Sequence, residues 1–338
     1  MIESWLSAGT GSTRIVVGKS LGGMALFYPD ERVTIVTDET LLGLYGAMLK
    51  PFDVIVLPSG ETGKSLGHVE RLYEEFCARK LTRESLVVAF GGGAVSDCVG
   101  FAAATYLRGL RLSIFATTLL AQADAAIGGK NGVNLGGYKN LVGTIRQPEL
   151  CVFDVEYLLS LSEREFRGGF AEIIKHAVIA DAELFSELEI RAARALERDL
   201  GTLEYLVAQS VRIKSKVVQE DENESDARRL LNFGHTIGHS VELQSGLPHG
   251  EAVAIGMVRE ARLCVARGTL ISSDCNRIED VIRSYGLPTD TGSSISLSAI
   301  ERDKKRTGDQ IQAPILRGIG LSGVVRVPLS EFVEEREA

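Results

Sequence analysis

Three of the chain's five histidines fall within fifteen residues, a clustering that indicates metal binding or proton transfer. His235 and His239 are four residues apart, and so share a face if the stretch is helical, while Glu251 follows His249 closely. Imidazole is the side chain best suited to both chemistries near neutral pH. The alternative is a set of structural histidines beside tight glycine turns. Spacing alone does not say which of the three bind a metal.

A second group of reactive side chains lies in the helical pattern of residues 163–180. Glu172 shares a helix face with Lys175 and His176. This arrangement is typical either of a functional site or of an ordinary ion pair on a helix surface. The sequence leaves both interpretations open.

The helical pattern of residues 202–218 places one lysine on an otherwise apolar stripe. Lys214 shares this stripe with residues such as Val207 and Val211, whereas Arg212 and Lys216 lie off it. A lysine in that position either extends to solvent or points into a polar pocket. We expect Arg212 and Lys216 to be solvated.

A glycine triplet indicates a nucleotide site. Gly91–Gly93 follows the apolar strand pattern of 86–90 and precedes a helix, where backbone N–H groups can approach a pyrophosphate. The triplet is equally compatible with a tight strand-to-helix turn. Asp38 ends another predicted strand and is suited to binding ribose hydroxyls. It is also a candidate N-cap for the helix predicted at 39–50.

The segment 116–140 is rich in glycine and nearly free of charge, and we expect a loop wrapped closely around an anion. Asp124 and Lys130 stand out in it, because unpaired buried charge is costly unless a ligand or a partner compensates it. The competing interpretation is a salt bridge between these two residues.

These groups must be positioned by two kinds of element. Up to about residue 155, β-rich runs alternate with helical stretches, which predicts a parallel sheet covered by helices. Beyond residue 160 the pattern is nearly all helical. We therefore predict an α/β fold with one domain at residues 1–158 and a mostly α-helical one at residues 159–338, and the serine-rich stretch 291–298 as a loop or linker. The predicted strands lie at 14–17, 33–36, 54–57 and 86–90, and the helices of the second part at 163–180, 184–198, 202–218 and 251–267.

Composition narrows the class of protein. A chain of 338 residues with 45% hydrophobic content can bury a large core, and its net charge of -8 argues against general binding to nucleic acid or anionic membranes. We expect small-molecule partners. Five scattered cysteines without a CxxC pair indicate neither a disulfide framework nor a zinc ribbon. The N-terminal segment does not resemble a secretion signal and no apolar run reaches membrane-spanning length, so the expected location is the cytoplasm.

Several separated segments together resemble the 3-dehydroquinate synthase family of sugar-phosphate cyclases, from about Val36 to Gly320. The family fold implies an N-terminal Rossmann-like NAD-binding domain, then a mostly α-helical metal-binding domain, with the active site between them. The segments that carry the resemblance are Gly91–Gly93 through Tyr106-Leu107-Arg108-Gly109, Thr117–Gln122, Gly128-Gly129-Lys130, Lys139-Asn140, Ala171–Lys175, Leu230–His235 and His249–Ala252.

Site residues follow from the resemblance by position. It implies that Glu172, His235 and His249 bind a divalent metal, zinc or cobalt, and that His176 is not a ligand. The implied NAD contacts are Asp38, Glu61, Lys64, Gly92, Gly93, Asp97, Thr117, Thr118, Lys130, Lys139 and Ser160, the last in place of a family threonine. The implied substrate-binding and catalytic residues are Asp124, Lys130, Lys139, Asn140, Lys175, Lys214, Glu224, Arg228, Asn232, His239 and Lys304, with Arg108 reaching in from a neighbouring subunit of a homodimer.

The implied reaction converts 3-deoxy-D-arabino-heptulosonate 7-phosphate to 3-dehydroquinate and phosphate. It proceeds by oxidation, phosphate elimination, reduction, ring opening and aldol closure, and NAD is regenerated. Related alternatives are a sister cyclase, such as aminodehydroquinate synthase or 2-deoxy-scyllo-inosose synthase, and a metal-dependent polyol dehydrogenase. A non-catalytic NAD- or metal-binding regulator is a further alternative. The joint presence of Lys130, Lys214, Arg228, Asn232 and His239 favours a carboxylated substrate.

Overall fold

The computed structural model describes residues 1–21, 24–29, 31–291, 306–307 and 310–332. These residues form two compact units. The first comprises Met1–Ser162 together with Lys214–Gln219, and the second comprises Glu163–Ile213 and the described residues from Glu220 onward. Among the described residues, no helix is long and apolar enough to span a membrane.

The first unit is built on a sheet of seven strands among the described residues, in the order β1-β2-β9-β6-β5-β3-β4. All neighbouring strands pair in parallel except β1 and β2, which form an antiparallel hairpin at one edge. The strands are β1 Ile2–Ala8, β2 Gly11–Gly18, β3 Val33–Asp38, β4 Asp53–Leu57, β5 Leu86–Gly91, β6 Arg111–Ala116 and β9 Leu150–Asp154. The predicted parallel sheet is confirmed, whereas the antiparallel edge hairpin was not predicted.

The central strands are continuous apolar runs because both faces of a parallel sheet are covered. Every residue of β3 and β5 is buried. The core includes Ile35, Phe90 and Phe115. The helices of this unit are α1 Met24–Phe27, α2 Glu39–Leu49, α3 Leu66–Ala78 and α4 Gly93–Thr105.

The segment predicted as one loop at 116–140 is more ordered than expected. A π-helical turn covers Ala121–Ala125, and an antiparallel hairpin follows, formed by β7 Lys130–Leu135 and β8 Tyr138–Ile145. Gly136 and Gly137 make the hairpin turn with φ of 60° and 81°. Such positive φ angles explain why glycines are concentrated there. The prediction of a loop for this segment was therefore wrong, because the segment contains a helical turn and a hairpin.

The second unit is mostly helical. Its helices are α5 Glu163–Ala180, α6 Ala182–Leu196, α7 Leu200–Glu220, α8 His235–Ser245, α9 His249–Ala266 and α10 Ser272–Ser284, with Lys214–Gln219 of α7 belonging to the first unit. The predicted helices thus exist, with ends shifted by at most two residues. A three-stranded antiparallel sheet of described residues, β10 Arg306–Thr307, β11 Gln310–Gly318 and β12 Leu321–Pro328, was not predicted.

Glycines allow α8 and α9 to pack closely, and these two helices begin at the two histidines of interest. A Cβ atom at Gly256 would lie 1.9 Å from the carbonyl oxygen of Gly234, and one at Gly238 would lie 3.0 Å from that of Ala252. Larger side chains would force the helices apart. The close packing therefore determines how near the two helix starts lie to each other.

Candidate active site

Three side chains from three helices converge in the second unit. Glu172 lies in the middle of α5, while His235 and His249 are the first residues of α8 and α9. Glu172 Oε1 is 3.4 Å from His235 Nε2 and 3.2 Å from His249 Nε2. One ligand atom from each of the three lies within 4.8 Å of the others. Two imidazoles and a carboxylate are a common ligand set of catalytic zinc sites, and the residues fit such an ion.

The surroundings of the Nδ1 atoms of His235 and His249 also fit metal binding through Nε2. His235 Nδ1 is 3.2 Å from the carbonyl oxygen of Phe233, which can only accept a hydrogen bond. His249 Nδ1 faces Glu242 Oε2 at 3.6 Å. An acceptor beside Nδ1 holds the proton there and leaves Nε2 for a metal. Both histidines therefore direct the same nitrogen toward Glu172.

Glu172 is fully buried and forms an ion pair with Lys175, which is also buried. The interpretation of these residues as a surface pair is thus wrong. Burial alone would raise the pKa of Glu172, but the charges of Lys175 and His235 hold the pKa well below its usual value. The carboxylate is therefore ionised at neutral pH, as a metal ligand must be.

The two ligand-type histidines differ in their electrostatics. Burial, followed by the nearby charge of Lys175, lowers the pKa of His235. Burial acts in the same direction on His249, but hydrogen bonding to Glu172 and interaction with Glu242 raise its pKa to about 9. Metal binding requires the neutral imidazole, so a metal must displace a proton from His249.

The remaining histidines of this region have other environments. His239 is exposed, and its ring centroid lies 5.4 Å from that of His235 and 6.3 Å from that of His249. His176 is fully buried, and its Nδ1 is 2.7 Å from Ser210 Oγ. His239 thus lies beside His235 and His249, and its ring is accessible to a small molecule.

A compact loop precedes α8 and carries three more of the predicted residues. Asn232 Nδ2 donates to Glu224 Oε1 at 2.6 Å, and the buried Arg228 donates from Nη1 to the carbonyl oxygen of Glu222 at 2.6 Å. Asp221 accepts from the backbone N–H groups of Ser225, Asp226 and Arg228 and from the Ser225 hydroxyl. Burial would raise the pKa of Asp221, but these hydrogen bonds lower it to about 2.

In the first unit, several residues predicted to bind NAD lie at the carboxyl ends of parallel strands. After β3 the chain continues to β4 on one side of the sheet, whereas after β5 it continues to β6 on the other side. Ligands of open α/β sheets bind at such a topological switch point. Asp38 ends β3, and its Oδ1 accepts from Leu41 N at 3.0 Å, which confirms the N-cap interpretation. Gly92 precedes α4, and a Cβ there would lie 2.9 Å from the Thr118 methyl group. This narrow, side-chain-free turn fits the close approach of a pyrophosphate.

A buried ion pair lies beside the glycine turn. Lys64 pairs with Asp97 on α4, and both side chains are largely buried. Burial raises the pKa of Asp97 to about 6, although the charge of Lys64 opposes this shift. Glu61 Oε2 accepts from Asn134 Nδ2 at 2.9 Å, which connects the turn before α3 to the β7–β8 hairpin. Thr117, after β6, is buried, and its hydroxyl has no hydrogen-bond partner among the described residues.

Asp124 and Lys214 form a second ion pair of this unit, in which Lys214 is buried and Asp124 is partly buried. Lys214 Nζ is 2.7 Å from Asp124 Oδ1 and donates to the backbone carbonyl oxygen of Asp124 at 2.6 Å. Lys214 therefore points into a polar environment, whereas Arg212 and Lys216 are exposed as predicted. The expectation of buried charge is only partly met for Asp124, whose side chain is 23% exposed. It was wrong for Lys130, which is exposed at the start of β7.

The other predicted site residues lie at the surface or outside the described residues. Lys139 and Asn140 are exposed at the start of β8. Arg108 is exposed in a tight turn after α4. Ser160 Oγ accepts from the Tyr45 hydroxyl at 3.0 Å. Lys304 lies outside the described residues, as do residues 292–298 of the predicted serine-rich loop.

Two carboxylates near the histidines were missed by sequence reasoning. Glu242 follows His235 by seven residues and His239 by three, so the helical period placed it on the same face of α8. Glu260 is an acidic residue on the buried face of α9. The helical spacing of both residues was the feature of the sequence that could have predicted their positions.

Solved structures of similar fold give the class of protein. The chain superimposes with a TM-score of 0.86 on 2-epi-5-epi-valiolone synthase from Streptomyces hygroscopicus subsp. jinggangensis with NAD+ and Zn2+ bound, at 32% identity and 94% coverage of both chains. A 2-deoxy-scyllo-inosose synthase gives a TM-score of 0.85 at 24% identity and 98% coverage of both chains, which shows the shared fold. The chain therefore shares its fold with synthases of this class, and one of them, at 32% identity, was solved with NAD+ and Zn2+ bound.

Sequence comparison gives the family within this class. Residues 54–168 match the family model described as 3-dehydroquinate synthase N-terminal, and residues 169–306 match the model described as 3-dehydroquinate synthase C-terminal. The 3-dehydroquinate synthase of Teredinibacter turnerae is 39% identical over 333 residues, which cover 93% of this chain and 92% of that protein. The chain belongs to the 3-dehydroquinate synthase family.

Proposed function

We propose that this chain converts 3-deoxy-D-arabino-heptulosonate 7-phosphate to 3-dehydroquinate and phosphate, with NAD and a divalent metal as cofactors. The observation that carries the proposal is the convergence of His235 Nε2 and His249 Nε2 on the buried carboxylate of Glu172, in a chain that matches 3-dehydroquinate synthases over nearly its whole length. When bound, the metal would polarise a substrate hydroxyl and NAD would accept its hydride.

The substrate carries a carboxylate and a phosphate, so its pocket needs several cations. Lys175, Lys214 and Arg228 are buried cations, and the carboxylates and carbonyl oxygens around them fix their positions. Lys130 and Lys139 are exposed and able to meet an incoming anion. We assign these five residues to the substrate, and Lys130 and Lys139 also to NAD.

Further polar groups orient the substrate's hydroxyls. The short hydrogen bond from Asn232 to Glu224 fixes the direction of both side chains. His239, beside the ligand-type histidines, is the group we propose to hold or move a proton. Asp124, Asn140 and Lys304 complete the proposed set of substrate residues.

NAD is assigned to the strand ends of the first unit. Asp38 would bind ribose hydroxyls while it caps α2, since its carboxylate has more acceptor capacity than one backbone N–H uses. Gly92, Gly93 and the start of α4 would receive the pyrophosphate. Glu61, Lys64, Asp97, Thr117, Thr118 and Ser160 complete the proposed NAD contacts.

A direct assay tests the reaction. Purified protein with zinc, NAD and the heptulosonate phosphate is expected to release phosphate continuously with no net rise in NADH absorbance, because the hydride returns to the substrate. The His235→Ala variant is the matched control and should release little phosphate. Absence of phosphate release by the wild-type protein would overturn the proposal, and steady accumulation of NADH would indicate a polyol dehydrogenase.

A sister cyclase activity is the second candidate, favoured by the structural similarity to 2-epi-5-epi-valiolone synthase. A sister cyclase such as 2-deoxy-scyllo-inosose synthase is distinguished by a substrate that has no carboxylate. Glucose 6-phosphate lacks that group and serves as the comparison substrate. Phosphate release from glucose 6-phosphate, but not from the heptulosonate phosphate, would favour a sister cyclase.

We also propose a homodimer in which Arg108 completes the neighbouring subunit's site. Arg108 is exposed, and it follows Leu107 in a turn where both residues have positive φ. Mixing refolded Arg108→Ala and Lys175→Met chains tests this idea. Hybrid dimers would contain one intact site if Arg108 acts across subunits, so up to about a quarter of wild-type activity should return. No recovery in hybrids isolated by two affinity tags would contradict it.

The same proposal places the enzyme in the cytoplasm and in the shikimate pathway of aromatic amino acid biosynthesis. Both follow from the proposed reaction, whose substrates belong to that metabolism. Expression of the chain should restore growth without aromatic supplements to a bacterial strain that lacks 3-dehydroquinate synthase. Failure of a stably expressed chain to do so would count against the assignment.

A further inference from the structure

Glu260 is a buried carboxylate for which the proposed reaction has no use. It lies on α9 and is only 2% exposed. Its Oε2 accepts from the backbone N–H of Gly234 at 2.8 Å, and its Oε1 accepts from that of Ile237 at 3.2 Å. The two oxygens thus bind the chain on either side of His235, the first residue of α8.

This contact replaces a missing helix cap. Serine, threonine, aspartate and asparagine usually cap a helix with their own side chains. Gly234 occupies the cap position of α8 with φ of 78° and offers no side chain. A Cβ there would lie 2.5 Å from Met257 Cγ and 2.9 Å from the Val253 carbonyl oxygen. The close helix packing therefore excludes a capping side chain at residue 234.

A carboxylate is well suited to the task from outside the helix. The first N–H groups of a helix lack partners within it, and the helix dipole favours negative charge at this end. Glu260 satisfies two N–H donors with one ionised group. Helix α9 therefore supplies His249 as its first residue, and through Glu260 it also binds the backbone on either side of His235.

We propose that Glu260 is a positioning residue for the metal site, which holds His235 in place through the backbone of α8. The inference rests on the metal site of the proposed function. It predicts that loss of the carboxylate weakens metal binding although Glu260 is not a ligand. Groups that support metal ligands typically contribute about 10–100-fold to metal affinity.

Zinc affinity of the Glu260→Gln variant tests this role. Glutamine keeps the shape but places an N–H₂ donor against one of the two backbone donors. Competition with a chromophoric chelator should give zinc affinity about 10-fold weaker than wild type. Glu279→Gln is the matched control, because Glu279 is a buried carboxylate of the same unit that pairs instead with Arg262 and Arg283. Its zinc affinity should stay within about 2-fold of wild type.

A purely structural role would give a different result. Glu260→Gln would then lower the melting temperature of the metal-free protein and leave zinc affinity unchanged, which would overturn the inference. Equal loss of zinc affinity in Glu279→Gln would overturn it as well. If the wild-type protein binds no zinc, the proposed metal site itself is wrong. This result is distinguishable from failure of the role proposed for Glu260, in which the wild-type protein does bind zinc.

Amide hydrogen exchange of the wild-type protein supplies a measurement that needs no variant. The amides of Gly234 and Ile237 should exchange slowly in the metal-free protein, because both donate to Glu260. They should exchange more slowly with zinc, because the metal then also restrains His235 between them. Rapid exchange of both amides in the metal-free and the zinc-bound protein would contradict the inference even if Glu260→Gln failed to fold.

Discussion

Glu172 and Lys175 are one helical turn apart on α5 and form an ion pair in which neither side chain is more than 1% exposed. Removing one partner of a buried pair leaves an uncompensated charge, which costs about 3–5 kcal/mol. Lys175→Met should therefore lower the free energy of unfolding of the metal-free protein by about this amount in urea titrations. Zinc should restore part of the loss, because a cation again lies beside Glu172.

The control for this prediction is Lys216→Met, which changes an exposed lysine of α7. Exposed substitutions usually alter stability by about 0.5 kcal/mol or less. Equal destabilisation by the two variants would mean that the Glu172–Lys175 pair has no special role in stability.

His235→Ala and His176→Ala should separate a metal ligand from a structural histidine. Loss of His235 removes one of three ligand-type side chains, and we expect activity to fall about 1000-fold or more as several kcal/mol of metal assistance is lost. His176→Ala should retain its metal and most of its activity. Metal content by mass spectrometry and phosphate release check both. A metal-free His176→Ala protein would show that the ligand set was chosen wrongly.

Glu242→Gln should weaken zinc binding by about 10-fold, since Glu242 faces His249 Nδ1 and supports its orientation. The melting temperature of the metal-free protein should change little. Glu197→Gln, at an exposed carboxylate that directly follows α6, is the control and should bind zinc like wild type. Unchanged zinc affinity in Glu242→Gln would show that His249 needs no support from this carboxylate.

Substitutions of Asp38 should separate its cap from its proposed ribose contact. Asparagine still caps α2, so Asp38→Asn should be nearly as stable as wild type, whereas Asp38→Ala should lose about 1 kcal/mol. Both should bind NAD about 10-fold more weakly by calorimetry, because each lacks the carboxylate proposed for the ribose. NAD affinity that falls only in Asp38→Ala would assign the effect to the helix cap.

Asp221 should contribute a pH-dependent stability. Its folded-state pKa of about 2 lies below the ordinary value of 3.8. The contribution is therefore complete above about pH 4 and is lost as the pH falls toward 2, where the folded carboxylate also protonates. Asp221→Asn should be less stable than wild type by about 1–2 kcal/mol at pH 7, and the difference should shrink steadily below pH 4. A difference that is constant with pH would exclude this origin.

Local patterns in the sequence predicted much of the architecture. The alternation of apolar runs and helices up to residue 155 specified the parallel strands, because their continuous apolar character reflects burial on both faces. The helical period placed Glu172 and Lys175 together and set Lys214 apart from Lys216. The antiparallel β11–β12 pair was missed, because neither strand shows the regular alternation of apolar and polar residues that predicts a half-buried strand.

The amino-acid order alone determined which chemistry was available: clustered histidines, an acid beside a lysine on a helix and a glycine turn after a strand. It did not determine which atoms meet. Glu172 lies sixty-three residues before His235, and only the packing of α5, α8 and α9 brings their side chains within 3.4 Å. The same packing excludes a side chain at Gly234 and assigns the cap to Glu260. Contacts between distant segments depend on the shape of the folded chain, and local spacing does not contain that information.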